Sequence, residues 1–259
     1  MPSSRPSPDR QHPRILHGRR RGRPLRKRQL DLLRTLLPNI EIRAPEADGT
    51  TLPVALNLDL LFPDSGQTRR LWLEIGFGGG EHLLFQARAH PEIGFIGCEP
   101  FVNGVVKLLS GIDHGRRTGD AISNIRIFRR DGQQLLEHLP RQCLDRASLL
   151  FPDPWPKTRH HKRRFIQQDT VDQFARVLKA NAELRIATDH AELCRWVLRH
   201  LASHPSFEWM AEDPDDWRRQ PLDWAETRYE TKAAKACRQR YFLSFKRNSA
   251  PAPLASTKT

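Results

Sequence analysis

A strand–turn–helix–strand pattern, LWLEIGFGGGEHLLFQARAHPEIGFIGCE (71–99), sets the architecture of this chain. An apolar run at 71–75 leads into a glycine-rich turn, then into a segment of helical period, and then into a second apolar run at 94–98. Short apolar runs that alternate with helical segments are typical of βαβ units, in which the strands lie parallel. The stretch therefore predicts an α/β protein built around a parallel sheet.

The same alternation continues along the rest of the chain. The segments between the apolar runs, such as FIQQDTVDQFARVLKA (165–180), have helical period. The last two candidate strands are separated by a loop rather than by a helix. Seven strands are thus predicted, at 71–75, 94–98, 125–128, 147–151, 183–187, 207–210 and 240–245.

The charge of the chain is concentrated near its N-terminal end. Lys and Arg total 43 against 30 Asp and Glu, which gives a formal net charge of +13 over 259 residues. Ten of the basic residues and only one acid fall within 1–28. Such an excess favours polyanionic partners such as nucleic acid, although a basic tail is about as often a solvated arm.

This distribution predicts four segments. Residues 1–28 form a basic, largely disordered arm, and 29–69 hold a docking helix, LDLLRTLL, with the stretch that leads into the main domain. The main α/β domain is expected at 70–247, and 248–259 form a small, polar, disordered tail.

The cysteines and the apolar content indicate a cytoplasmic protein. Four cysteines lie far apart, which predicts free thiols rather than a disulfide or zinc framework. The N-terminal stretch has no apolar core typical of a secretory signal, and no apolar stretch approaches the ~20 residues that span a bilayer. We predict no membrane segment, and no obligate protein partner is evident.

The glycine-rich turn and the acids that end the next strands predict a ligand site. A phosphate-binding loop would need G-K-[ST], and a dinucleotide fingerprint starting at Gly76 would need Gly where this chain has Glu81. Glu99 and Asp131 end the second and third strands, where a carboxylate can accept from ribose hydroxyls or an adenine amine. A single acid there is more often a helix cap, but several in register favour an adenosyl ligand without phosphates.

The segment FPDPWPKTRHHKRRF (151–165) follows the fourth strand and predicts a substrate loop. Its prolines make the chain around Asp153 and Trp155 stiff and extended. Five cations then fall within eight residues, which suits a phosphate backbone, although a solvated helix start would have the same composition. Trp155 stacks on a base or braces the loop, and bracing is slightly favoured. Adjacent His160 and His161 rarely converge on one ion, so no metal site is predicted.

Two later stretches are candidates for substrate contact. Asp189 follows the fifth strand in R-I-A-T-D-H, where it either caps the next helix or faces the substrate. The segment TRYETKAAKACRQRYF (227–242) interleaves aromatic and basic residues, which is typical of nucleic-acid contact.

Taken together, these motifs resemble the bacterial tRNA (guanine-N7-)-methyltransferase family over roughly residues 17–247. The likeness is carried by E-I-G-F-G-G-G, G-C-E, F-P-D-P-W-P-K-x-R-H-x-K-R-R, A-T-D and T-R-Y-E-x-K. It implies a Rossmann-like fold dependent on S-adenosyl-L-methionine, with a seven-stranded, mostly parallel sheet and an antiparallel last strand. It also implies methyl transfer to N7 of a guanine in tRNA, in the variable loop.

Carried onto this chain, the resemblance implies a role for each matching residue. Asp153 is the expected catalytic residue. Cofactor contacts are expected from Glu74, Gly76, Gly78, Gly80, Glu99, Asp131 and Asp153. Substrate or RNA contacts are expected from Lys157, Arg159, His160, His161, Lys162, Arg163, Arg164, Asp189, Thr227, Arg228, Tyr229 and Glu230. The family usually has Gly where this chain has Cys237, so a positive φ at this position would cost about 1 kcal/mol, or the loop would bend differently.

Two other functions stay open on the residues alone. One is an amino-group methyltransferase of DNA or RNA, because P-D-P-W faintly resembles the proline-aromatic loops of adenine modifiers. The other is an RNA-binding protein or chaperone on a degenerate enzyme fold. The strand-end acids disfavour the second, since a pure binder gains nothing from acids that face a polyanion.

Overall fold

The computed structural model describes residues 20–43, 55–63, 70–225 and 238–250. Within them, the strands are β1 (Leu71–Ile75), β2 (Gly94–Cys98), β3 (Ile125–Phe128), β4 (Leu144–Leu150), β5 (Leu178–Thr188), β6 (Phe207–Trp209) and β7 (Tyr241–Arg247). The α-helices are α1 (Lys27–Thr35), α2 (Leu58–Leu61), α3 (Glu81–Ala89), α4 (Val102–Thr118), α5 (Gly132–His138), α6 (Gln168–Val177) and α7 (Ala191–Ala202). Short 3-10 helices lie at Leu37–Asn39, Thr158–Arg163 and Pro214–Trp217.

The strands form one sheet in the order β3-β2-β1-β4-β5-β7-β6. The pairs among β1 to β5 are parallel, and β7 is antiparallel to both of its neighbours, β5 and β6. The predicted seven-stranded sheet with an antiparallel last strand is therefore confirmed.

Helices cover the two faces of the sheet. One hydrophobic cluster joins α1, α3 and α4 to one face through residues such as Leu32, Leu83 and Leu108. A larger cluster joins α5, α6 and α7 to the other face, where Phe174 and Val197 are fully buried. This two-sided cover buries the middle strands and leaves the carboxyl ends of the parallel strands as the open edge.

β4 and β5 begin earlier than the sequence predicts. β5 starts at Leu178, directly after α6 ends at Val177, where the helical pattern suggested a helix as far as residue 180. The stretch LKANAE interrupts the apolar run, and Asn181 has a left-handed φ of 66°. Pairing with β4 nevertheless extends the strand to Leu178, opposite Leu144.

The N-terminal segment contacts the main domain sooner than expected. The predicted end of the arm at residue 28 falls inside α1, and residues 20–23 lie against the start of α4. Val102 donates its N–H to the Arg20 carbonyl (3.1 Å), and Gly22 donates to the Asn103 side chain (2.7 Å). Residues 20–28 are thus part of the folded body, while 1–19 and 251–259 lie outside the described residues.

No helix in the described parts of the chain is long and apolar enough to cross a membrane.

Candidate active site

The site lies at the carboxyl ends of the parallel strands, where β1 and β4 are neighbours. The chain proceeds outward from β1 to β2 and β3 on one side and from β4 to β5 on the other. Such a reversal of strand order leaves a crevice above the sheet, because consecutive connections depart in opposite directions. The acids expected at strand ends therefore surround one position in the fold.

The glycine-rich turn after β1 forms the floor of this crevice. Gly76, Gly78 and Gly80 have φ angles of 73°, 56° and 78°, a left-handed region that favours glycine. A Cβ on Gly76 would meet no atom within 4 Å, so open space lies above the turn. Gly104 in α4 packs so closely that a Cβ there would overlap the Gly78 carbonyl oxygen. The turn is thus fixed from below and open to a ligand above.

Glu99, which follows β2, is held by the same turn. Its carboxylate is buried and accepts from the N–H groups of Gly78 (2.7 Å) and Phe101 (2.9 Å). Burial raises the pKa of Glu99, the two N–H donors lower it, and the negative charges of Glu74 and Asp153 raise it further. Each carboxylate oxygen has a second lone pair, so Glu99 can still accept from a ligand hydroxyl.

Glu74 in β1 is buried and already has a protein partner. His82 in α3 donates from Nδ1 to Glu74 Oε2 at 2.8 Å, and both side chains are about 5% exposed. Sequence reasoning missed His82, because no spacing rule links a strand carboxylate to a histidine eight positions later. The second oxygen of Glu74 is the one that a ligand could use.

Asp131, which follows β3, caps α5. Its Oδ1 accepts from the Gln133 N–H at 3.0 Å, which is the ordinary capping role that a lone acid at this position has. Capping occupies one oxygen and leaves the other for a ligand amine. Capping and ligand contact are therefore compatible at this residue.

The loop after β4 carries Asp153 on a stiff, strained backbone. Phe151 and Trp155 have left-handed φ angles of 50° and 43°, which non-glycine residues rarely adopt. Asp153 itself is exposed, and its loop begins beside the glycine-rich turn, because Leu149 of β4 pairs with Ile75 of β1. Its negative charge also contributes to the raised pKa of Glu99. The structure thus places the expected catalytic acid at the same end of the sheet as the expected cofactor acid.

Arg164 holds this loop in place, which corrects its expected contact with RNA. Its side chain is 0% exposed and donates to the carbonyls of Pro154 (3.0 Å) and Trp155 (3.4 Å) and to Glu192 (2.9 Å). A buried guanidinium that satisfies loop carbonyls cannot reach a phosphate. The last arginine of the basic run is therefore an internal brace.

The other basic residues of this run are of two kinds: some are exposed to solvent, and some contact neighbouring side chains. Lys157, Arg159 and Lys162 are exposed along the 3-10 helix and its start. The Arg163 guanidinium lies 5.1 Å from the Trp155 ring centroid, and His160 meets the same ring edge-on at 5.8 Å. These contacts favour bracing by Trp155. His161 is half-buried and turned inward; it lies 3.2 Å from Glu192 and packs on Trp196.

Of the remaining predicted substrate contacts, the structure describes Asp189 but not those at 227–230. Asp189 pairs with Arg238 at 2.5 Å, and the residue that caps α7 is His190 rather than Asp189. The capping alternative for Asp189 is therefore wrong. Thr227, Arg228, Tyr229, Glu230 and Cys237 lie outside the described residues.

The described cysteines are not joined by disulfides. Cys98, Cys143 and Cys194 are free thiols, and burial raises the pKa of Cys143 to about 12. Within residues 20–43, 55–63, 70–225 and 238–250, no group of three or more His, Cys, Asp or Glu side chains could hold a metal ion.

Known proteins resemble this chain in both fold and sequence. A solved 16S rRNA methyltransferase, KamB, superposes with a TM-score of 0.52 over 73% of this chain and 94% of its own, at 13% identity. A 16S rRNA (adenine(1408)-N(1))-methyltransferase from Catenulisporales acidiphilia gives a TM-score of 0.50 over 77% of this chain and 96% of its own, at 15% identity. At these identities the likeness concerns the fold alone, and it confirms the predicted Rossmann-like fold.

Sequence comparison is more specific. A family profile described as "putative methyltransferase" matches residues 68–243. The tRNA (guanine-N(7)-)-methyltransferase of Rhodospirillum rubrum is 49% identical, covering 89% of this chain and 87% of its own length. The enzymes of the same name from Zymomonas mobilis (45% identical; 90% and 94% covered) and Bradyrhizobium diazoefficiens (43% identical; 96% and 100% covered) agree. The chain belongs to the bacterial tRNA (guanine-N(7)-)-methyltransferase family.

Proposed function

We propose that this protein transfers a methyl group from S-adenosylmethionine to N7 of a guanine in tRNA, in the cytoplasm and at the variable loop. The observation that supports this most directly is that Glu99 and the Asp153 loop follow β2 and β4, the two strands that flank β1 and its glycine-rich turn. One carboxylate accepts from the glycine-rich turn, and the other belongs to the proline-rich loop that leads into the basic run. A cofactor and a nucleic-acid base would therefore meet between them.

The residues present fit S-adenosylmethionine, which supplies an electrophilic methyl group when bound. Glu99 would accept from the ribose hydroxyls, and the free oxygen of Asp131 would accept from the adenine amine. The open space above Gly76 leaves room for a ligand close to the backbone. Glu74 offers its second oxygen from β1. A site lined by acids and glycines suits a cationic, phosphate-free ligand better than a nucleotide phosphate.

The reaction at N7 needs alignment rather than a strong base. Guanine N7 has an in-plane lone pair and no proton to lose. The N7 lone pair would form the bond to the methyl carbon as the carbon–sulfur bond breaks, and the electron pair of the carbon–sulfur bond would stay on sulfur. Orientation of this kind can contribute roughly 7–11 kcal/mol. Positive charge develops on the guanine ring, and the Asp153 carboxylate would stabilise it in the transition state.

The tRNA backbone would lie along the exposed cations of the 3-10 helix. Lys157, Arg159 and Lys162 are free of the internal contacts that occupy Arg164 and suit phosphate binding. Asp189, beside Arg238, and the predicted contacts at 227–230 would face the base. Acids at this position can accept from guanine N1–H and the exocyclic amine, which distinguishes guanine from adenine.

Methyl transfer from labelled S-adenosylmethionine to unmodified tRNA tests this proposal. Borohydride–aniline treatment then cleaves the product at N7-methylguanosine, because only N7 methylation makes the nucleoside cationic and labile. We expect one cleavage site, in the variable loop. Incorporation without cleavage would point to another atom, such as an amino group, and no incorporation with cofactor binding intact would refute tRNA as the substrate.

A further inference from the structure

A pair of residues outside all the predicted motifs lies where those motifs meet. Asp223 and Trp224 lie in the described part of the connector between β6 and β7, where Asp223 contacts Arg146 of β4 and Arg185 of β5. Neither residue was expected to take part in the site. Their contacts reach His82, the partner of Glu74, and Phe151 at the start of the Asp153 loop.

Asp223 is fixed to the sheet by two arginines. Arg185 in β5 donates to both carboxylate oxygens at 2.9 Å, and Arg146 in β4 donates at 3.3 Å. Glu183 bridges the same two guanidinium groups at 2.8 and 3.0 Å. Burial works against the charge on Asp223, but the two arginines outweigh it and hold the pKa of Asp223 below its usual range. Asp223 is therefore ionised and anchors the connector at one position.

Trp224 is placed by this anchor and is buried, with 7% of its surface exposed. Its ring packs against the His82 ring at 4.9 Å and meets Phe242 edge-on at 5.3 Å. It also joins the small cluster of Leu150, Ala187 and Phe151. Phe151 is the strained first residue of the loop that carries Asp153.

A second route joins the connector to Glu74. The Gln86 side-chain amide donates to the Asp223 carbonyl (2.5 Å) and lies 3.3 Å from His82 Nε2. His82 in turn donates to Glu74 from Nδ1, so Glu74, His82 and Gln86 form one buried chain of hydrogen bonds that ends on the connector. The Gln86 carbonyl oxygen is buried without a hydrogen-bond partner among the described residues, so the position of this side chain depends on its two donor contacts.

We propose that Trp224, anchored by Asp223, is a positioning residue that sets the Asp153 loop against the Glu74–His82 pair. This rests on the proposed function, since it concerns the alignment of the same two half-sites. Loss of the ring lets the loop and the cofactor strand shift relative to each other. A misplacement of about 1 Å at a reacting centre can cost about 100-fold in rate.

Three variants and one control test the proposal. Trp224→Leu removes the ring, Trp224→Phe keeps an aromatic ring, and Asp223→Asn removes the charge but keeps the shape. Phe207→Leu is the control, because Phe207 is a similarly buried aromatic residue in the edge strand β6. It pairs with Arg247, at the end of β7 remote from Phe242, which Trp224 contacts. Turnover on tRNA and the Kd of S-adenosylmethionine are measured well below each unfolding midpoint.

We expect Trp224→Leu and Asp223→Asn to lower kcat about tenfold or more. Trp224→Leu also weakens cofactor binding severalfold, and Trp224→Phe restores most of both. Phe207→Leu lowers the Tm and leaves kcat and Kd unchanged. The proposal is overturned if Trp224→Leu behaves like Phe207→Leu, with a lower Tm and unchanged kcat and Kd. If Trp224→Leu does not fold, wild-type kcat in Asp223→Asn overturns it.

The two proposals fail in different ways. If the wild-type protein methylates another atom, the proposed function is wrong, while losses in the Trp224 variants still support positioning. If the wild-type protein makes N7-methylguanosine and the variants match it, only the positioning role is wrong.

Discussion

Glu99 shows how a single side chain combines opposing demands. Two backbone donors hold its carboxylate, yet burial and the neighbouring acids still raise its pKa. The folded protein therefore binds a proton at Glu99 more readily than the unfolded chain does, and ionised Glu99 lowers the stability of the cofactor-free fold. A cationic ligand that needs the ionised carboxylate relieves this cost.

Binding of S-adenosylmethionine should weaken as the pH falls, because protonation of Glu99 removes an acceptor for the ribose hydroxyls. Since the pKa of Glu99 is raised, the weakening begins at a higher pH than for an exposed glutamate. Calorimetry between about pH 5 and 8 measures it. Glu99→Gln should bind more weakly and lose this pH dependence; the same profile in Glu99→Gln and wild type would contradict the assignment.

Asp153→Ala should lower turnover far more than tRNA affinity. The side chain is exposed, so its removal spares the fold, and we expect its charge to matter most as the guanine becomes positive. Loss of one such electrostatic contact typically costs about 100-fold or more in kcat. Single-turnover rates and filter binding separate the two quantities. Comparable losses in rate and affinity would show that Asp153 holds the substrate rather than the transition state.

Among the elements, the loop at 151–165 departs most from what its sequence suggests. Its basic run looks uniform, but the structure turns Arg164 inward and leaves Lys157, Arg159 and Lys162 outside. A 3-10 helix of six residues has no apolar period from which the direction of each side chain could be predicted. The loop is therefore stabilised by one of its own residues, Arg164, which donates to the Pro154 and Trp155 carbonyls.

Arg164→Ala should destabilise the protein by about 2 kcal/mol or more, because the carbonyls of Pro154 and Trp155 lose a buried donor. Turnover should fall as well, since the same loop carries Asp153. Arg159→Ala is the matched control; we expect an unchanged Tm and weaker tRNA binding. Thermal unfolding together with tRNA titration measures both. A wild-type Tm together with weakened tRNA binding in Arg164→Ala would instead support the sequence-based prediction that Arg164 contacts RNA.

Local pattern predicted most of the elements and some of the site. β1, β2 and β3 have the predicted bounds, because each is a short apolar run with a turn on both sides. The start of β5 at Leu178 could not be predicted, since only pairing with β4 makes LKANAE a strand. Trp224 and His82 were missed for a related reason: Gln86 meets Asp223 across 137 positions of the chain.

At the scale of the whole molecule, the basic arm has a docked part and a distal part. Residues 20–28 lie on α4 and include the start of α1, with Arg28 paired to Asp113 at 2.5 Å. Residues 1–19 precede them and contain four arginines. The two parts can be separated by truncation, because residues 20–28 have described contacts with the domain and residues 1–19 lie outside the described residues.

Deletion of residues 1–19 should weaken tRNA binding and flatten its salt dependence without changing the Tm. If the four arginines contact phosphates, the slope of log K against log salt falls by about 3, at roughly 0.7–0.9 per contact. Deletion of 1–28 also removes the Gly22–Asn103 contact and should lower the Tm. Titrations at several salt concentrations measure the slope, and an unchanged slope in the shorter deletion would exclude the distal arm from RNA contact.

The position of β7 between β5 and β6 has a consequence for how the protein is made. The ribosome synthesises β5 and β6 before β7 (residues 241–247). Until β7 emerges, β6 has no strand to pair with and one edge of β5 is unpaired. Bare strand edges recruit other chains, and this interval is when aggregation competes with completion of the sheet. A chain truncated before Tyr241 would keep these unpaired strand edges, so we expect such products to be degraded or to aggregate rather than to persist as partly active enzymes.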